Sequence, residues 1–244
     1  MEHLEGRQSV LAALRARKRR FEVVLLRHGL HAETTQDVID LAGLLGVPIR
    51  HVDGRELDSL AHGNSHGGVL AVCSAKPRTS ADQLLELLDS LSEPPLLLLL
   101  EGVDDARNLG FTLRSAESLG AHAVMLKKHL WDFDAIEVAR PASGAYERMP
   151  LVQIDNLELL ETLRGRGLRL LGCIAGVRRT LHDSDLAQPC ILAIGGEKRG
   201  LSGAVRSICD DFLTIPSRAG SSSLPLSAAA AIVLAEAMRQ RANI

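Results

Sequence analysis

The run Leu96-Leu-Leu-Leu-Leu100, preceded by Pro94-Pro95 and closed by Glu101, sets the tightest limit on the fold. Five consecutive leucines offer no polar side, so a strand made from them must be covered on both faces. The run is far too short to cross a bilayer. Strand patterns follow at Ala123–Leu126, Leu151–Ile154, Leu168–Ile174, Ile191–Gly195 and Phe212–Ile215. Helical patterns separate them at Asn108–Leu119, Asp134–Ala139, Leu157–Arg164, Ser202–Ile208 and Ser227–Arg241, the last with Ser227 as a fitting N-cap. Apolar strands alternating with helices predict an α/β fold with a mostly parallel sheet.

The amino-terminal part alternates less cleanly. Helices are predicted at Ser9–Arg17, Thr35–Leu45 and Arg55–Ala61, with strands at Glu22–Leu26, Val47–Val52 and Val69–Cys73. Residues 1–75 therefore read as a small αβ domain. Residues 76–95 read as a linker, from the Lys76-Pro-Arg-Thr-Ser80 breaker, through a helix over Ala81–Leu91 capped by Ser80, to Ser92-Glu-Pro-Pro95. Residues 96–244 form the second domain.

Hydrophobic residues at 46% and charged residues at 24% are ordinary for a soluble globular chain. Aromatic residues make up only 2%, which argues against binding single-stranded nucleic acid mainly by stacking on aromatic rings. A net charge of −2 by itself points to no polyanionic partner. It hides one cluster, however: Arg15, Arg17, Lys18, Arg19 and Arg20. This cluster reads either as a solvated helix end or as a phosphate-contacting patch. The four cysteines are widely spaced with no CxxC pair, which suits reduced thiols in the cytoplasm. Met1–Gly6 carries Glu2 and Glu5 and no apolar run, so no secretory signal is expected. The histidines lack metal-ligand spacing, and no metal is expected.

In a sheet of this kind, ligands collect at loops leaving the carboxyl ends of strands. Three loops stand out: Glu101–Arg114, Gly195–Ser202 and Gly220–Ser227. Gly195–Ser202 lacks phosphate-loop spacing, because Lys198 precedes the second glycine, and no GxGxxG follows a strand. Taken singly, each loop has a plain structural reading. Their combination and order carry more.

Asp105-Ala-Arg-Asn-Leu-Gly-Phe-Thr-Leu-Arg-Ser-Ala resembles the first motif, DPxNxGxxxRxA, of the SpoU (TrmH) family of RNA ribose 2′-O-methyltransferases. Ile194-Gly-Gly-Glu-Lys-Arg-Gly-Leu-Ser resembles the second, GxExxGLS, and Ser223-Leu-Pro-Leu-Ser-Ala-Ala the third, SLNVSxA. Ser143-Gly-Ala-Tyr resembles the family's SxGA segment. The motifs stand in family order across nearly all of residues 96–241. Leu4-Glu-Gly-Arg-Gln-Ser-Val and His66-Gly-Gly-Val are similar to the small RNA-binding αβ domain, akin to certain ribosomal proteins, that precedes many members.

The resemblance implies a SPOUT-type α/β domain with a deep trefoil knot, S-adenosylmethionine as cofactor, and a homodimer. It implies structured RNA as substrate, with ribosomal RNA favoured and transfer RNA as the alternative; the residues themselves lead to the expectation of neither membrane nor metal. Ile194, Gly195, Gly196, Ile215, Ser223 and Leu224 would line the cofactor pocket; Asn108, Arg114, Glu197 and Ser223 match the family's functional positions. Arg15, Arg17, Lys18, Arg19 and Arg20 would meet RNA phosphates. Two positions depart from the pattern. Ala106 replaces a common Pro, and Pro225 replaces the third motif's Asn, removing a side-chain amide and a backbone N–H. A catalytically weakened RNA binder is the alternative that Pro225 keeps open.

Overall fold

The computed structural model describes residues 1–62, 66–127, 132–218 and 223–242. Gly220–Ser222, the start of the third loop, lies outside the described residues. The chain forms two compact units, residues 1–77 with 134–148, and residues 78–133 with 149–244.

The first unit contains β1 (Glu2–Glu5), α1 (Arg7–Ala16), β2 (Phe21–Arg27), α2 (Ala32–Leu44), β3 (Ile49–Val52), α3 (Gly54–Leu60) and β4 (Val69–Cys73). From later in the chain it takes α6 (Ala135–Ala142) and α7 (Ala145–Arg148). Its sheet has the order β1-β4-β2-β3; β4 runs antiparallel to both neighbours, while β2 and β3 are parallel. Strand alternation sends Val24 and Leu26 to one core with Val10 and Leu14, and Leu25 to another with Val52, Leu57 and Leu70. The Ser143-Gly144 turn joins α6 to α7. Gly144 has φ +89°, and any side chain there would collide with Ala12 of α1.

The basic cluster splits at this level. Arg15, Arg17, Lys18 and Arg20 are exposed. Arg19 is buried and is not available to a phosphate, which corrects the expectation for this residue. Its side chain is 1% exposed and forks onto Glu147, also 1% exposed, at 2.9 and 2.8 Å. It also donates to Glu2 at 2.9 Å and to the Ser74 carbonyl at 2.8 Å. A charge this deep is tolerable only with such pairing.

The second unit contains α4 (Ala81–Asp89), β5 (Leu96–Leu100), α5 (Ala106–Ser118), β6 (Ala123–Lys127), β7 (Leu151–Ile154), α8 (Glu158–Gly165), β8 (Arg169–Cys173), β9 (Cys190–Ile194), α9 (Gly203–Ile208), β10 (Asp211–Leu213) and α10 (Leu226–Arg241). The sheet order is β10-β8-β9-β5-β6-β7, and every pairing is parallel. The leucine strand β5 sits inside the sheet with all five residues fully buried. Segment 76–95, expected as a linker, carries α4. A capping box between Ser80 and Gln83 starts that helix, and its Leu84 and Leu88 join the core. One helix start is corrected. α10 begins at Leu226 with Pro225 as its cap residue, so Ser227 lies inside the first turn and is not the N-cap.

Candidate cofactor and catalytic site

Strands β5 and β9 run side by side with Leu100 opposite Ile194, so their carboxyl-end loops leave the sheet together. A Cβ on Gly196 would overlap the Gly102 carbonyl, and one on Gly195 would overlap the Gly200–Leu201 backbone. The glycines of the second motif are thus demanded by backbone packed against backbone. Within that loop the Gly200 N–H donates to the Gly196 carbonyl at 2.8 Å, with Gly200 in the left-handed region.

Glu101, buried at the end of β5, ties the loops by its side chain. It accepts the Ser202 N–H at 2.9 Å and the Ser202 hydroxyl at 3.1 Å, and it pairs with Lys127 at 3.2 Å. Ser202 in turn caps α9 by accepting the Val205 N–H at 3.3 Å. Sequence reasoning assigned Glu101 no role. A carboxylate directly after a fully apolar strand was the available signal.

The third segment closes the arrangement. Glu197 accepts the Leu226 N–H at 3.3 Å, bringing a carboxylate to an unpaired donor at the start of α10. Asn108 sits in the first turn of α5, which Asp105 caps through the Arg107 and Asn108 N–H groups. The Asn108 side-chain carbonyl accepts the Ser227 hydroxyl at 3.2 Å.

A cavity of about 720 Å³ opens between these loops, of a size that suits a small-molecule cofactor. All six residues expected at a cofactor pocket line it: Ile194, Gly195, Gly196, Ile215, Ser223 and Leu224. Glu197 lines it too. Sequence reasoning missed the turn after β8, Ile174–Gly176, and the cations Arg199 and Arg206. Since β8 neighbours β9, its loop had to reach the same end of the sheet. Burial pushes the thiol of Cys173, at the cavity wall, well above its usual range, so it stays protonated and unreactive. Asn108 lines an adjoining recess of about 170 Å³ that shares Glu197 and Leu226 with the cavity. Arg114 lines neither space. It is exposed on α5, one turn after the half-exposed Phe111, and makes no hydrogen bond or ion pair among the described residues.

The lining includes apolar Ile194, Ile215 and Leu226, glycines that offer bare backbone, and the cations Arg199 and Arg206. Those features fit an adenosine with an attached amino acid. Among the described residues, no group of His, Cys, Asp or Glu could hold a metal ion, and no helix is long and apolar enough to cross a membrane.

Comparison with known proteins agrees with this geometry. The SpoU rRNA Methylase family matches residues 95–235, and the RNA 2'-O ribose methyltransferase substrate binding family matches residues 3–79. The chain is 36% identical to the 23S rRNA (guanosine-2'-O-)-methyltransferase RlmB of Pseudomonas aeruginosa, over 98% of this chain and 97% of that protein. It is 29% identical to the putative TrmH family tRNA/rRNA methyltransferase YacO of Bacillus subtilis, over 98% and 96%. Among solved structures, the SpoU methyltransferase AviRb from Streptomyces viridochromogenes in complex with the cofactor AdoMet superposes with a TM-score of 0.82. The identity is 26%, over 99% of this chain and 91% of that one. Fold, cavity and the two family matches together define the class of RNA ribose 2′-O-methyltransferases. The chain belongs to the SpoU rRNA methylase family.

Proposed function

We propose that this protein methylates the 2′-hydroxyl of a guanosine ribose in large-subunit ribosomal RNA. The observation that carries this reading is the cavity at the β5, β8 and β9 strand ends, lined by every residue the family pattern assigns to the cofactor. Similarity to RlmB along nearly the whole chain supports ribosomal RNA over transfer RNA. That substrate sets the protein to work in the cytoplasm.

When bound, S-adenosylmethionine supplies a methyl group made electrophilic by its sulfonium. The chain's own residues bind and orient. Gly195 and Gly196 let the ligand approach bare backbone, and Ile194, Ile215 and Leu224 give it apolar walls. Glu197 holds the start of α10, and with it Ser223 and Leu224, against the second loop. Asn108, fixed by Ser227, presents its amide donors to the ribose. Arg114 orients the attacking hydroxyl and stabilises the negative charge that grows on its oxygen; a guanidinium keeps its proton, so it is not the base.

Because Arg114 lines no part of its own chain's cavity, the complete site is that of a homodimer in which each chain lends Arg114 to the other. The exposure of Phe111 beside Arg114, and of Ile232 and Met238 on the adjoining α10, supports burial of that face against a second copy. A knotted carboxyl-terminal segment, as the family pattern implies, belongs to the same reading.

The test is transfer of labelled methyl from S-adenosylmethionine into deproteinised 23S ribosomal RNA, read as alkali-resistant labelled dinucleotides. Their absence with every ribosomal RNA offered overturns the reading. Pro225 supports a second reading, a weakened enzyme that binds cofactor and RNA. Micromolar cofactor binding without turnover would favour it.

A further inference from the structure

At the carboxyl ends of β2 and β3, two exposed histidine rings lie against each other. His28 and His51 have ring centroids 5.8 Å apart and planes inclined by 31°. The register explains the pair. His51 stands opposite Leu26, and His28, two residues on, returns to the same side of the sheet. Backbone holds both in place, since the His28 N–H donates to the Val52 carbonyl at 2.9 Å. Two cations belong to this end of the sheet, Arg27 on the face of β2 opposite to His28 and Arg55 in the helix that follows β3. Arg27, opposite Val52 in the register, rests its aliphatic stem near Gly54, and Arg55 follows in α3. Both are exposed and make no ion pair among the described residues, whereas the nearby Arg50 is paired with Glu56 at 2.5 Å.

Nothing inside the unit needs this arrangement. The rings are exposed, and neither guanidinium has a carboxylate partner among the described residues. An unpaired nucleobase satisfies the rings by stacking, and the phosphates on either side satisfy the arginines. The chain is poor in Phe, Trp and Tyr, yet it places imidazole faces where an aromatic platform is absent.

We propose that His28 and His51 form a stacking platform for an unpaired base of the RNA substrate, with Arg27 and Arg55 contacting the flanking phosphates. This rests on the reading of the protein as a ribosomal RNA methyltransferase. It also assigns a contact surface distinct from Arg15, Arg17, Lys18 and Arg20, which lie near the opposite end of β2.

The experiment measures binding of the full-length protein to deproteinised 23S ribosomal RNA across a salt series, for the native chain, the His28→Ala/His51→Ala double variant, the His28→Phe/His51→Phe double variant and Arg27→Gln/Arg55→Gln. The alanine pair should lower affinity by roughly tenfold to a hundredfold with an unchanged salt slope. The phenylalanine pair should retain binding, because it keeps the faces. The arginine pair should reduce the salt slope by about one unit or more, as lost phosphate contacts do. S-adenosylmethionine binding and thermal midpoint should be native in all three. If the native chain binds this RNA and the alanine pair binds it equally well, the platform is overturned while the functional reading stands. A native chain that binds no ribosomal RNA overturns both.

Discussion

Glu101 and Ser202 lie 101 residues apart in the chain, and the carboxylate of one accepts both the N–H and the hydroxyl of the other. The same carboxylate answers the Lys127 ammonium. Three parts of the second unit, the end of β5, the start of α9 and the end of β6, therefore meet on one side chain. Glu101→Ala should lower unfolding stability by about 1–3 kcal/mol, because it leaves a partly buried ammonium and two donors without their shared acceptor. Ser202→Ala should cost about 1 kcal/mol, the loss of a helix cap. Urea unfolding of both variants checks the ratio, and equal effects would contradict the three-way role of Glu101.

Gly196→Ala should abolish cofactor binding even where the chain still folds. The added methyl has no free volume, since the Gly102 carbonyl occupies its place, and the two loops must separate to admit it. Gly203→Ala, whose Cβ would meet nothing within 4 Å, serves as the control and should be neutral. Calorimetric titration with S-adenosylmethionine reads the contrast.

Pro225→Asn should raise turnover without weakening cofactor binding. Pro225 is exposed at the cap position of α10, and its ring removes a donor next to Leu224 at the cavity wall. Asn is a favourable cap residue, so the helix start should not suffer. A variant whose kcat equals that of the native chain would show that the amide is dispensable here.

Arg19→Met should destabilise the first unit by about 3–5 kcal/mol, because Glu147 is left charged and buried. The double variant Arg19→Met/Glu147→Leu should recover most of that loss, since both charges are then gone. Chemical unfolding of the four species forms the cycle. Additive losses would mean the pair does not act as a unit.

Acid should loosen the end of α10 before the rest of the second unit. Hydrogen bonds from Arg239 and Gln240 hold the Glu236 carboxyl down to about 2, below its usual value. A depressed carboxyl stabilises the fold fully above its unfolded pKa. That contribution drains away as pH falls from about 4.5 towards 2. Gln240 also bonds the Ser184 carbonyl and the Leu186 N–H, so the 181–186 segment should be released with it. Between pH 5 and pH 3, the native chain should lose more stability than Glu236→Gln; parallel loss would refute this.

Much of the second unit was legible because its information is local. Five leucines in a row, or Cys190-Ile-Leu-Ala-Ile194, can be little else than buried strand, and the glycine motifs announced their loops. Short elements such as β1 and α7 escaped. β1 has one apolar residue in Glu2-His-Leu-Glu5 and owes its existence to pairing with β4; α7 is four residues, too short for a helical period to show. Ser227 looked like a cap because caps are read from neighbours in sequence, whereas its partner is Asn108 on another helix. Arg19 looked like part of a basic run for the same reason, since Glu147 stands 128 residues away. Long-range pairing of polar groups leaves no periodic trace.

The crossover between β6 and β7 supplies α6 and α7 to the first unit, and Glu147 with them. During synthesis, the amino-terminal strands therefore wait for a segment made only after β5, α5 and β6. A nascent chain halted at residue 77 would hold Arg19 with no Glu147 to receive it. The order of translation and the order of folding are thus interleaved, and cutting at the apparent boundary near Pro77 would yield a fragment that lacks part of itself.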